Sequence, residues 1–326
     1  MTSESLQLCT ICGDYNNGKY LFEKSSNNFD SNCLRIYKCR KCKSIYLGKY
    51  NSNFEEDLYA YYDKSSDYTK DQVYSQLTKQ SYIKVLGLLK AYGSGQTILD
   101  VGCGNGSFVD IAMENGYKVR GIDLSQSAIN IGLKFNLPVE NMDFLSSEIR
   151  NASFDVITMF EVIEHLPEPV KFLKKAELVV RPNGIVYLTT PNFNSIERRI
   201  FGKRWNIFHR EHLTYFTPGT LRGAITDNTG FKILHVETRN ISSELIAFFT
   251  HLLPASSSLN SSNMSGGLKS DTPQPDIRAR ISNSPWLSWL KRCANYFLNA
   301  TGLGATIVIV LQRPHPRVTE RSSPNQ

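Results

Sequence analysis

The 326-residue chain reads as an α/β protein, a parallel sheet flanked by helices, with a small metal-binding segment in front of it. Two observations predict the sheet and a third predicts the segment. Between residues 96 and 240 short apolar runs alternate with helical patterns, as βαβ units do. The first of these runs ends in a glycine-rich turn, ILDVGCGNGSF, that opens a helix. Ahead of them, five of the seven cysteines fall within residues 1 to about 50, four of them as two CxxC pairs.

The elements follow in order. Residues 1–50 form the metal-binding segment, and residues 51–95 a tyrosine-rich helical cover (Tyr59, Tyr61, Tyr62, Tyr68, Tyr74, Tyr82). The sheet domain spans 96–312. Its strands are expected at Thr97–Val101, Lys118–Asp123, Pro138–Met142, Phe154–Phe160, Gly184–Thr189, Phe231–Glu237 and Ala305–Gln312. An insert at about 255–284, rich in Ser, Asn, Gly and Pro, cannot bury enough surface to order itself, and the tail 313–326 is read the same way.

Composition excludes several classes. An apolar fraction of 41% and a charged fraction of 21% are those of a globular protein with a sizeable core. There is no run of about 18 apolar residues to span a membrane, and the opening MTSESLQLCTIC has neither part of a secretory leader. With cysteines in CxxC spacing, this places the chain in the cytoplasm with reduced thiols. A net charge of +7 permits an anionic partner without demanding one.

Gly102, Gly104 and Gly106 let the backbone turn tightly and let a ligand lie against it. Nicotinamide and flavin enzymes share such loops, but three details point elsewhere. Asp100, two residues before the first glycine, repels a pyrophosphate and suits the amino group of a methionine moiety. Position 107 is Ser, so the third glycine of the dinucleotide pattern is missing. Asp123, at the tip of the next strand, can accept hydrogen bonds from both hydroxyls of a ribose.

The order LDVGCGNG, GIDLS, FDVITMFEVIEHL, RPNGIVYLTTPN resembles the class I S-adenosylmethionine-dependent methyltransferases over about residues 80–240. The resemblance implies a Rossmann-like seven-stranded sheet with its last strand antiparallel, and S-adenosylmethionine as cofactor. It implies that Asp100, Gly102, Gly104 and Gly106 hold the methionine part, that Asp123 binds the ribose and that Leu124 lies beside the adenine. Asp143 and Phe144 would touch the adenine amino group and ring face; an ordinary solvated loop acid is the other reading of Asp143.

Glu161, Glu164 and His165 follow the fourth strand, and on a helical turn their spacing puts all three on one face, a ligand geometry for a divalent ion. A similar ExxEH with a later histidine holds such an ion in ubiquinone-type O-methyltransferases and small-RNA 2′-O-methyltransferases. Here the later histidine is His212, with His209 nearby, and magnesium is the ion considered. Two other readings stand beside it: Glu161, His165 and His212 as substrate-binding or general-base groups, or the acid and imidazole bracing the floor of the site.

Cys9, Cys12, Cys39 and Cys42 form two knuckles that can close on one tetrahedral structural zinc, as a zinc ribbon does. A comparable segment precedes the same core in some sugar C-methyltransferases, surface-glycan enzymes and ribosomal-RNA methyltransferases. Cys33 and Cys293 are read as buried thiols and Cys103 as a small spacer within the loop. Glu197 to Arg210, mixing cations with aromatics, is either an anion-binding lid or a solvated helix with packed rings. Residues 285–300 form an amphipathic helix, packed on the domain or resting on a membrane surface. The combined reading is O-methylation of a small-molecule, sugar or lipid-linked acceptor. The alternatives are an RNA methyltransferase, in which the zinc segment and basic stretch grip RNA, or a non-catalytic binding module.

Overall fold

The structure, a computed structural model, describes residues 8–15, 17–24, 34–48, 76–93, 95–241, 293 and 296–315. Tyr59, Tyr61, Tyr62, Tyr68, Tyr74, Cys33, the insert 255–284, residues 285–292 and 294–295 of the amphipathic stretch and the tail from 316 lie outside the described residues.

Seven strands form the main sheet: β4 (Thr97–Val101), β5 (Lys118–Asp123), β6 (Val139–Asn141), β7 (Phe154–Phe160), β8 (Val180–Pro191), β10 (Lys232–Arg239) and β11 (Thr306–Gln312). Their order is β10-β11-β8-β7-β4-β5-β6, and β11 runs antiparallel to both its neighbours. This is the Rossmann-like sheet expected, with its last strand reversed. β4, β5 and β7 end within a residue of expectation, whereas β8 begins four residues earlier than its apolar run, at Val180. The turn-like Arg181-Pro182-Asn183-Gly184 is absorbed into it, with an irregularity in its pairing to β7.

The strands read as continuous apolar runs because both faces of the sheet are covered. One face (Ile98, Val156, Ile185, Tyr187, Val308, Val310) packs on α1 (Gln76–Tyr92) and α2 (Ser107–Glu114), with Ile129 of α3 (Gln126–Lys134). The other (Leu99, Val101, Ile157, Met159, Val186, Leu188, Ile309) packs on α4 (Pro169–Val179) and α6 (Pro218–Thr226). Neighbouring residues such as Ile98 and Leu99 go to opposite faces, as period-two side chains must.

A second sheet has the order β1-β2-β3-β9, with β1 at Gly18–Lys24, β2 at Leu34–Cys39, β3 at Ile45–Gly48 and β9 at Thr214–Tyr215. The cysteine segment is therefore not a separate bead ahead of residue 50, because its outer strand comes from the loop that follows β8. Leu34, Ile36, Ile45 and Leu47 share one core with Phe193, Trp205, Phe208, Leu213 and Tyr215. That core also decides the fate of the basic stretch, which continues through α5 (Ile196–Phe201): its aromatic rings are packed inward. The Arg198 guanidinium lies 4.4 Å from the Phe193 ring, and Lys24 donates to the carbonyls of Trp205 and Phe208. Cys293, read as core, is exposed on its helix.

Trp205 is among the largest fully buried side chains and sits where the two parts meet. Trp205→Ala should lower unfolding free energy by about 3–5 kcal/mol in urea denaturation; a loss below about 1 kcal/mol would show that this cluster does not bind the parts together.

Candidate functional site

The carboxyl ends of β4, β5 and β7 meet at one edge of the sheet, the edge where open α/β sheets bind ligands. After β4 the chain turns through Gly102, Gly104 and Gly106, with φ of +71°, +54° and +81°, conformations costly to residues with a Cβ. A Cβ on Gly106 would come within 2.7 Å of the Leu137 side chain, whereas one on Gly104 would meet nothing within 4 Å. Gly106 thus serves packing, and Gly104 leaves open space against bare backbone. Cys103 is the small buried spacer anticipated, its sulfur directly beneath Gly121.

Two carboxylates organise this loop. Asp100 is buried and accepts a 2.6 Å hydrogen bond from the Thr158 hydroxyl. Burial pushes its pKa up to about 7, against the Thr158 bond, which pulls it down. Asp123 accepts from the Gly104 N–H and the Ser125 N–H, both at 2.8 Å, so it fixes the loop and the start of α3. Leu124 beside it is exposed at the strand tip, with its carbonyl held by Asn141. Asp143 is exposed and caps a turn through the Leu145 N–H. Phe144 is buried, its ring 5.6 Å from that of Phe172, so it is a core residue in this arrangement.

The ExxEH segment departs from a helical face. Glu161 has a left-handed φ of +54°, and only Ile163–His165 turn, as a short 3-10 helix. The peptide N–H of Glu161 is held by Thr189, through both its carbonyl and its hydroxyl oxygen, at 3.2 Å. The four candidate ligands are therefore not brought together. Glu164, His165 and His212 place ligand atoms within 4.8 Å of one another, and Glu161 is outside that group. A strained non-glycine residue of this kind is found where its side chain must be aimed. Glu161 lines a cavity of about 230 Å³ together with Trp205, Asn206, Ile207, Asn240 and Thr306. It is open to solvent through that cavity while protein closes round its other sides, which raises its pKa.

Glu164 is buried, one oxygen accepting from the Thr190 hydroxyl at 2.9 Å and the other without a hydrogen-bond partner. Burial, and then the nearby Glu161, raise its pKa well above the carboxylate range. The rings of His165 and His212 meet edge to face at 4.6 Å. Their Nδ1 atoms lie against backbone carbonyls, those of Glu211 at 3.0 Å and Ile207 at 2.7 Å. A carbonyl can only accept, so each Nδ1 carries the proton and each Nε2 keeps its lone pair. Burial lowers their pKa values to about 4 and about 3, which keeps both rings neutral at physiological pH.

The four paired cysteines also converge. Cys9 and Cys42 sulfurs are 3.5 Å apart, and those of Cys12 and Cys39 are 3.6 Å apart. All four lie within 4.8 Å of one another, which suits a closed tetrahedral zinc site. The hydrogen bond from Cys9 draws the Cys42 pKa down to about 4.

Thr158, Thr189 and Thr190, missed in the sequence, hold Asp100, Glu161 and Glu164. Their signal was available: threonines inside otherwise apolar, fully covered strands are buried polar groups that need a partner. The role of Trp205 and of β9 had no such signal.

Residues 77–236 match a family model described as a methyltransferase domain. These residues are a methyltransferase domain of the class I S-adenosylmethionine-dependent kind. It is 31% identical over 108 residues to a ubiquinone biosynthesis O-methyltransferase of Coxiella burnetii, covering 31% of this chain and 45% of that one. A protein of the same name from Albidiferax ferrireducens is 34% identical over 107 residues, covering 30% and 42%. The chain thus aligns with less than half the length of these relatives. Among solved structures, a SAM-dependent methyltransferase from Archaeoglobus fulgidus superposes with a TM-score of 0.48 and 15% identity over 72% of this chain and 93% of that one.

Asp100 gives the methyltransferase domain a measurable pH signature. With a folded pKa of about 7, above its unfolded value, the folded state binds the extra proton between the two values. Stability of the ligand-free protein should therefore fall as pH rises from about 4 to about 7, and level off above. Asp100→Asn keeps the Thr158 bond and removes the titration, so thermal melts at pH 5 and pH 8 should differ less in the variant than in the parent. Equal pH dependence in both would place the titrating group elsewhere.

Proposed function

We propose that this methyltransferase transfers a methyl group from S-adenosylmethionine to a hydroxyl oxygen of a small-molecule, sugar or lipid-linked acceptor bound in the cavity beside Glu161. The observation that carries the reading is Glu161 itself. It follows β7 in a left-handed backbone conformation and lines a cavity with Pro191, at the carboxyl end of β8, and with Trp205 and Ile207. S-adenosylmethionine supplies an already activated methyl group, so the protein must chiefly align, enclose and deprotonate.

The residues fit that cofactor. Asp100, buried and short of hydrogen-bond donors, would accept the amino group of the methionine part, and Gly104 offers open backbone beside it. Asp123 already takes two peptide N–H groups, yet its two oxygens retain lone pairs for ribose hydroxyls. Leu124 offers an exposed apolar face to the adenine, and Asp143 an accessible acid for its amino group. Phe144 would have to leave its packing on Phe172 to stack on the ring, so van der Waals contact with its edge is the role left to it. Glu161, with its raised pKa, would accept the proton of the acceptor hydroxyl as the new bond forms.

One observation favours an additional metal in the site. Glu164, one oxygen of which has no hydrogen-bond partner, offers a ligand atom within 4.8 Å of those of His165 and His212. Ile207, whose carbonyl orients His212, also lines the cavity. Two imidazoles and one carboxylate suit zinc, iron or manganese better than the all-oxygen preference of magnesium. A divalent ion held by these three would polarise an acceptor hydroxyl. At the other end of the chain, Cys9, Cys12, Cys39 and Cys42 would hold a structural zinc.

Labelled methyl transfer into a fractionated cell extract should mark the small-molecule or glycolipid fraction. Label in RNA would overturn the acceptor class. Glu161→Gln should lower the turnover of that transfer by roughly 10²-fold or more. In calorimetry, Asp123→Ala should weaken S-adenosylmethionine binding about tenfold or more, about 1.4 kcal/mol, and unchanged affinity would remove Asp123 from the cofactor site. Added manganese, more than magnesium, should bind the purified chain with His212 intact and lose that binding in His212→Ala.

A further inference from the structure

The cysteine segment and the acid–histidine cluster are joined by a short, continuous series of hydrogen bonds. Thr10, between the two cysteines of the first pair, shares a 2.7 Å hydroxyl hydrogen bond with Thr214 of β9. β9 lies antiparallel to β3, pairing Tyr46 with Thr214 and Ile45 with Tyr215. The Leu47 N–H donates to the Leu213 carbonyl at 2.9 Å, and the Leu213 N–H donates to the Glu164 carbonyl at 2.8 Å. One residue back is His212, and before it Glu211, whose carbonyl takes the His165 Nδ1–H. All three members of the cluster are thus tied to residues 211–215, and those residues are tied to the cysteine segment.

The dependence runs in one direction. A strand of two residues cannot hold itself in register; it needs the sheet it joins. The sheet it joins is short, and a segment of that size relies on bound metal for much of its folding energy. The glycine loop is held differently, by Asp123 and by the Ile122 carbonyl of β5, within the main sheet.

We propose that Leu213 and Thr214 are positioning residues: metal held by Cys9, Cys12, Cys39 and Cys42 keeps β9 in place, and β9 sets the geometry of Glu164, His165 and His212 independently of the cofactor loop. This rests on the reading of the cysteines as a zinc site and of the glycine loop as the cofactor cradle. The four-cysteine segment then acts as a wall of the acceptor site.

The test uses the full chain. Zinc content is measured by elemental analysis, and amide hydrogen exchange is followed by mass spectrometry before and after chelation. Chelation should speed exchange at least tenfold over residues 205–216 and 163–166. Over residues 97–106 exchange should change less than threefold, as should S-adenosylmethionine affinity in calorimetry. Unchanged protection over 205–216 after zinc loss overturns the proposal. So does an equal loss over 97–106, which would make the segment a general requirement for folding. A chain purified without zinc, yet still binding cofactor, refutes the zinc reading and leaves the cofactor reading standing; a chain with zinc that fails to bind cofactor does the reverse, and either result overturns the proposal.

A variant read without metal removal checks the same link. Thr214→Val keeps the shape and removes the hydroxyl hydrogen bond to Thr10. It should shift the Nδ1–H resonances of His165 and His212 and leave cofactor affinity within twofold. Thr214→Ser should restore the parent spectrum. Parent-like imidazole resonances in Thr214→Val count against the proposal.

Discussion

Leu213 is bonded through its main chain in both directions, accepting from Leu47 in one sheet and donating to Glu164 at the end of the other. Much of the molecule follows from that pair of bonds. They dock a cysteine segment of few apolar residues against a large α/β domain, and they bring His212 to His165. The surrounding side chains make the junction dry: Leu213 is fully buried, and Trp205, Phe208 and Tyr215 close over it with Ile36 and Leu47. In such a setting a peptide bond left unpaired costs far more than at a surface, so the junction has little freedom to slide.

The same dryness governs the chemistry available. Glu164 and the two histidines are held neutral by burial, and each is oriented by a neutral partner, a threonine hydroxyl or a backbone carbonyl. What remains is one unpartnered oxygen of a protonated carboxyl, which carries its O–H, and two imidazole lone pairs that can only accept or ligate. Glu161 differs because, in its left-handed backbone conformation, it also lines the cavity. Two acids three residues apart in sequence thus influence one another while only Glu161 reaches the cavity.

On the cofactor side the burden falls on the backbone. Left-handed glycines open the loop, Asp123 pins it through two peptide N–H groups, and Asp100 waits beneath with a pKa raised by burial. None of these hydrogen bonds reaches the cysteine segment's sheet, although Cys9, Ile11 and Tyr46 share a core with Leu99 and Val101 of β4.

By itself the sequence determined the seven-stranded sheet, the glycine turn, the carboxylates at the tips of β4 and β5 and the four-cysteine cluster. Each is written locally, as an apolar run, a residue whose φ must be positive, or a CxxC spacing, and local backbone preference is legible in a linear string. Tertiary structure alone decided that Glu161 falls outside the ligand group of Glu164, His165 and His212, that Phe144 packs on Phe172, and that Thr214–Tyr215 joins a sheet whose other strands lie more than 160 residues earlier. These depend on which surfaces meet. A two-residue strand carries no periodicity, a left-handed glutamate no residue-type signature, and a basic aromatic stretch reads the same whether its rings face water or, as here, the core.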